Sequence, residues 1–140
     1  MKRTAGVFWL AAVLILVAAQ PTNAQTNGAS DKTIWSGVYT EEQAERGEAT
    51  VQLECSACHS PAEWSHARFL LVWTGRSIRD LHNQIRSTMP FDSPGRLSTQ
   101  EYSDIVAYML QLNDVPAGDT ELPADDEGLS AIGVTPPASR

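Results

Sequence analysis

The stretch Cys55-Ser56-Ala57-Cys58-His59 decides how the rest of this 140-residue chain is read. It forms the pattern C-x-x-C-H, the attachment signature of a c-type haem. Two thiols three positions apart can each form a thioether to a vinyl group of the same porphyrin. The adjoining imidazole of His59 is then close enough to the iron to ligate it. Cys55 and Cys58 are the only cysteines in the chain. Three other readings compete. A redox C-x-x-C pair calls for a thioredoxin-like βαβ pattern, which the sequence lacks. A zinc site calls for two more ligands at finger-like spacing, and only His66 and His82 remain. A disulfide between the two cysteines would close a strained, very short loop and staple almost nothing. Covalent attachment of one haem c is the favoured reading.

The N-terminus sets the expected compartment. Lys2 and Arg3 precede an apolar run over residues 7–19, and Thr22-Asn23-Ala24 follows as a small-x-small site. This is the layout of an export signal, with cleavage expected after Ala24. The run is too short to span a bilayer comfortably, so a retained membrane anchor is the lesser reading. An extracytoplasmic, periplasmic location is expected. Removing Lys2 and Arg3 leaves eight basic against seventeen acidic residues, a net charge of −9. That balance argues against nucleic acid or an anionic membrane as partner. About 116 residues then remain, enough for one domain with a single small core.

Four stretches follow in order: a signal over 1–24, a flexible polar leader over 25–33, a folded domain over 34–113 and a tail over 114–140. Ile34-Trp35-Ser36-Gly37-Val38-Tyr39 is apolar and aromatic, and is expected to fold back onto the haem or the core rather than lie as a surface strap. Thr40 and Gln43 make a capping box for a first helix running toward Leu53, with Glu41 and Glu42 at its positive end. Gly47 is costly inside that helix. It marks either a close helix approach or a merely tolerated glycine. Ser60-Pro61 interrupts any helix. The mixed apolar stretch 62–73 lines the haem crevice or fills core. Ser77 caps a helix carrying Ile78, Leu81 and Ile85. His82, beside that stripe, reads as a surface or satisfied polar residue.

Thr88-Met89-Pro90-Phe91 is the second functional element. Electron transfer at a six-coordinate haem is served by a soft neutral ligand opposite the histidine, and a methionine sulfur raises the reduction potential. Met89 stands in a loop directly before a proline, which suits that role. Met109 lies within an amphipathic helix and reads as core. His66 and His82 would instead give bis-histidine ligation. After a Pro94-Gly95 turn, Ser98 and Glu101 box the start of the last helix, where Tyr102, Ile105, Val106, Met109 and Leu112 share a face. Beyond Asn113, prolines and glycines rule out a regular element. The expectation there is an extended acidic tail, partly wrapped on the domain and disordered toward its end.

Taken together, these elements resemble the class I monohaem cytochromes c. The nearest resemblance is to small domains that accompany quinoprotein (PQQ) dehydrogenases. Residues 35–47 fit the pattern W-x-G-V-Y-T-x-x-Q-A-x-R-G, and residues 89–108 fit M-P-x-x-x-P-G-x-L-S-x-x-x-Y-x-D-I-x-A-Y. The resemblance implies an all-α fold: a small cytochrome c fold of three to five helices around a covalent haem, with N- and C-terminal helices crossing. It implies Cys55 and Cys58 as haem tethers, His59 and Met89 as iron ligands, and Gly47 with Tyr108 as the helix-crossing contact. Trp73 and Arg76 would lie near the haem propionates. Two departures stand out. Ser60-Pro61 replaces the usual glycine after the histidine, leaving the partner of the His59 imidazole unassigned. Val51 stands where an aromatic is frequent.

The function expected is electron transfer rather than enzymatic turnover. One electron would pass from a dehydrogenase donor toward an oxidase or another cytochrome as acceptor. The alternative is a haem with an open distal site, acting as a peroxidase or gas binder. Arg68, Arg76, Arg79, Arg86 and Arg96 either form a docking side on an otherwise acidic protein or are ordinary solvated arginines.

Overall fold

The computed structural model describes residues 32–138. The export-signal reading of 1–24 and most of the leader lie outside the described residues. Among the described residues, five α-helices and one pair of two-residue strands make up the regular structure, with two short 3-10 turns. No helix among them is long and apolar enough to cross a membrane.

Helix α1 spans Glu41–Glu54 and begins where expected. The Thr40 hydroxyl accepts the Gln43 N–H at 3.1 Å, and Glu41 and Glu42 occupy the first turn. Gln43 does not complete the expected box. Its side chain is fully buried and reaches the tail instead. Nε2 donates to the Leu122 carbonyl at 3.0 Å, and Oε1 accepts the Leu122 N–H at 2.7 Å. A buried amide needs both its donor and its acceptor satisfied, and an exposed helix end offers less than this two-sided pairing.

Helix α2 is Ala67–Trp73, α3 is Ile78–Thr88 and α4 is Thr99–Gln111. Both α3 and α4 start with reciprocal capping boxes, Ser77 with Asp80 and Ser98 with Glu101. Each satisfies orphan N–H groups of the first turn and so fixes where the helix begins. His82, expected at the surface or satisfied, is buried: it follows Leu81 and lies four residues after Ile78, on the face turned toward α4. Its Nε2 lies 3.3 Å from the Thr99 carbonyl and its ring meets Tyr102 edge-on, while Nδ1 has no hydrogen-bond partner among the described residues.

The main packing event is α1 across α4. A Cβ built on Gly47 would lie 1.9 Å from the Asp104 carbonyl oxygen and 3.0 Å from the Ile105 nitrogen. Gly47 is therefore the point where the two backbones touch, not a tolerated gap. Val51 and Tyr108 are buried in the same core, and Arg46 beside Gly47 spans the crossing to Asp104 at 3.0 Å. Asp104 is nearly covered, and Gln100 also donates to it at 2.8 Å. Its charge is thus matched where water cannot reach it.

The chain after Asn113 differs from its expectation. It contains helix α5, Asp126–Ser130, and strand β2, Ile132–Gly133, which pairs in parallel with β1, Lys32–Thr33. Helix α4 is therefore not the last helix. Val115, Leu122, Leu129, Ile132 and Val134 are all buried in the core. Backbone bonds from Gly75 to Val134 at 2.9 Å and from Val134 to Arg76 at 2.8 Å tie the segment to the loop before α3. The aromatic segment before α1 meets it from the other side. Tyr39 donates its hydroxyl to the Val115 carbonyl at 2.6 Å, and Trp35 Nε1 donates to the Thr135 carbonyl at 2.8 Å. The fold-back expected of residues 34–39 is thus onto the core and the tail.

Candidate haem-binding site

The C-x-x-C-H stretch is a tight turn leaving the end of α1. Cys55 and Ser56 both donate backbone N–H groups to the Val51 carbonyl, at 2.9 and 3.0 Å. Cys58 and His59 then donate to the Cys55 carbonyl, at 3.1 and 2.9 Å. The helix end thereby sets the spacing of all three side chains. Both thiols are free, so no disulfide occupies them. Burial, with Glu54 reinforcing it, pushes the Cys55 thiol up, while Arg96 pulls the other way. Among the described residues no group of three or more His, Cys, Asp and Glu side chains is placed to hold a metal ion.

Across from this turn stands Met89, at the C-terminal boundary of α3. Its N–H donates to the Ile85 carbonyl at 2.8 Å. Its carbonyl accepts the Tyr102 hydroxyl at 2.7 Å and the Gly95 N–H at 3.3 Å. The Met89–Pro90 bond is cis. The backbone of the Met-Pro loop is therefore pinned from α3, from α4 and from its own turn.

Cys55, Cys58, His59 and Met89 all line one cleft of about 520 Å³, together with Leu53, Ala57, Pro90 and Phe91. Leu53 and Phe91 are 84% and 89% exposed, although both are large apolar residues. An apolar body in the cleft would remove them from water. Two free thiols, an imidazole, a thioether and an apolar wall make a donor set and a shape that fit a haem attached through its vinyl groups. Arg96 and Glu54, joined as an ion pair, also line the cleft.

The other residues expected at the site stand elsewhere. Trp73 lines a smaller depression of about 240 Å³ with Trp64, Phe69 and Met109. Arg76 lies over the Trp73 ring, 5.2 Å from its centroid, and lines a polar groove with Asp80 and Gln84. Trp64 connects this region to the cleft, because its ring centroid is 5.4 Å from that of His59. Among the histidines that rival Met89, His82 is buried under α4. His66 is exposed at the start of α2, with φ of 60°.

Two residues of the site were not read as such from the sequence. Glu63 Oε2 lies 3.2 Å from His59 Nδ1, and its Oε1 accepts the Ser60 N–H at 2.9 Å. The Ser60 N–H, and then the His59 side chain, hold the Glu63 carboxyl below the usual carboxylate range. The signal was present: Ser60-Pro61-Ala62-Glu63 is a capping box with proline at its first position, although the proline reads first as a breaker. Tyr102 carried no such signal, because its place in the α4 stripe explains it fully as core.

Residues 42–109 match the family model described as "Cytochrome C oxidase, cbb3-type, subunit III". With the mostly helical fold, that match supports a class I c-type cytochrome: an electron-transfer protein whose cofactor is covalently bound haem c with its iron. Such a domain works with redox partner proteins and has the character of an electron carrier. No curated protein and no solved structure matches the chain.

Proposed function

We propose that this protein is an exported, periplasmic electron carrier. It would take one electron at a time from a dehydrogenase, of the quinoprotein type its sequence resembles, and pass it toward the respiratory chain. The observation that carries this reading is the single cleft bringing Cys55, Cys58, His59 and Met89 together. When bound, the haem supplies one-electron chemistry at its iron. Cys55 and Cys58 would tether it, which would prevent its loss in an open compartment. His59 and Met89 would ligate the iron. Tyr102 holds the Met89 loop, and Leu53 and Phe91, exposed on the cleft wall, would lie against the bound haem. The matched family is named for a subunit of a terminal oxidase, which supports an oxidase or another cytochrome as acceptor.

The direct test is Met89→Ala in haem-loaded protein. The expected outcome is loss of the long-wavelength charge-transfer band of methionine-ligated ferric haem, together with a lowered reduction potential. Retention of the band, or a raised potential, would contradict Met89 as ligand. Arg79 and Arg96 are paired with Asp126 and Glu54, so Arg68, Arg76 and Arg86 would be the arginines that meet the donor. Electron-transfer rates should fall as ionic strength rises; salt-independent rates would rule out steering by this side.

A further inference from the structure

We infer that Glu63 is the positioning residue of the haem ligand His59, taking its Nδ1–H and lowering the reduction potential of the bound iron. This rests on the haem reading above and goes beyond it, because residue resemblance alone left the partner of this imidazole unassigned.

The geometry is specific. One ring nitrogen of His59 faces a carboxylate oxygen at 3.2 Å. That contact selects the tautomer with the proton on Nδ1 and leaves the Nε2 lone pair for iron. The carboxylate is itself fixed, because its other oxygen accepts the Ser60 N–H in the box that opens the 3-10 turn Pro61–Trp64. The turn is anchored in its place: Asn113 Nδ2 donates to the Trp64 carbonyl at 2.9 Å, and Trp64 lies against the imidazole ring. Ser60, Pro61, Glu63 and Trp64 thus form a short clamp that sets where the His59 ring points.

A carboxylate acceptor differs from a neutral carbonyl. It carries a full negative charge, which makes the imidazole a stronger donor and favours the ferric over the ferrous state. Glu63 is half exposed, so water screens part of this effect. The expected size is about a threefold to tenfold shift in the equilibrium for reduction, tenfold corresponding to about 59 mV for one electron.

The test compares Glu63→Gln and Glu63→Ala with wild type, all exported and haem-loaded. Glutamine can still cap the turn and still accept a hydrogen bond, but has no charge. Both variants are expected to keep covalent haem and the methionine charge-transfer band. Both are expected to show a higher potential, and a shifted His59 Nδ1–H resonance in the reduced protein. If Glu63→Gln leaves the potential and that resonance unchanged while Glu63→Ala only lowers thermal stability, Glu63 is a cap and the inference is overturned. Wild-type protein without covalent haem would overturn the functional reading as well. Haem-loaded variants with an unchanged potential overturn the Glu63 role alone.

Discussion

At Gly47 an added methyl group would sit 1.9 Å from one backbone oxygen and 2.4 Å from its carbon. Neither atom can swing away as a side-chain tip could. Gly47→Ala should therefore force α1 and α4 apart and cost about 3 kcal/mol, the upper part of the overpacking range. Thermal or denaturant unfolding of haem-loaded protein measures this, and a loss under about 1 kcal/mol would mean the helices can slide at no great cost. Gly47 was legible because a glycine in a helix interior, far from either cap, needs a reason. Glu63 was not, because its meaning depends on where the His59 ring turns, and ring orientation leaves no trace in residue spacing. Gln43 misled for a related cause: the pattern T-x-x-Q permits a capping box, but the buried partner that claims the amide is Leu122, 79 residues away.

Among the elements, α3 and α4 were the most readable, since each combines an apolar stripe with a capping box at its start. Ser98 holds both the Glu101 N–H, at 3.2 Å, and the Glu101 carboxylate, at 2.7 Å. Ser98→Ala should cost about 1 kcal/mol at neutral pH, seen as a lowered Tm. The acid dependence has a definite sign. The Ser98 N–H and hydroxyl hold the Glu101 carboxyl below its ordinary range, and Ser77 does the same for Asp80. A folded-state pKa below the unfolded one gives stability that is complete above the unfolded value. That stability is lost as pH falls through the folded value. The Tm gap between wild type and Ser98→Ala should accordingly narrow on acidification through the carboxylate range. A gap that widens there would contradict the carboxylate's part in the box.

At the scale of the whole molecule, the acidic C-terminal segment is part of the core. Its buried residues Val115, Leu122, Leu129, Ile132 and Val134 are spaced by seven, seven, three and two positions among prolines and acids. Spacings of seven and three would suit a helix and two a strand, but the prolines and glycines between these residues break any continuous element, so composition pointed to an extended tail only partly wrapped on the domain. The apolar side chains are buried singly as the segment crosses the domain. Each buried aliphatic side chain is worth roughly 1.5–3 kcal/mol, and a domain's net stability is only about 5–15 kcal/mol. Truncation after Asn113 should therefore leave a chain that does not accumulate as folded, haem-loaded protein. Accumulation at the wild-type level with a Tm within a few degrees would show that the segment is dispensable.

The remaining whole-molecule property is the covalent union of this chain with its haem. The most direct measurement is the pyridine haemochrome spectrum of protein exported from a haem-attaching host, taken after extraction with acidified acetone. The expected result is a c-type spectrum that stays with the polypeptide in wild type and is lost when Cys55 and Cys58 are both replaced by alanine. Colourless protein, or pigment released into the acetone, would contradict it.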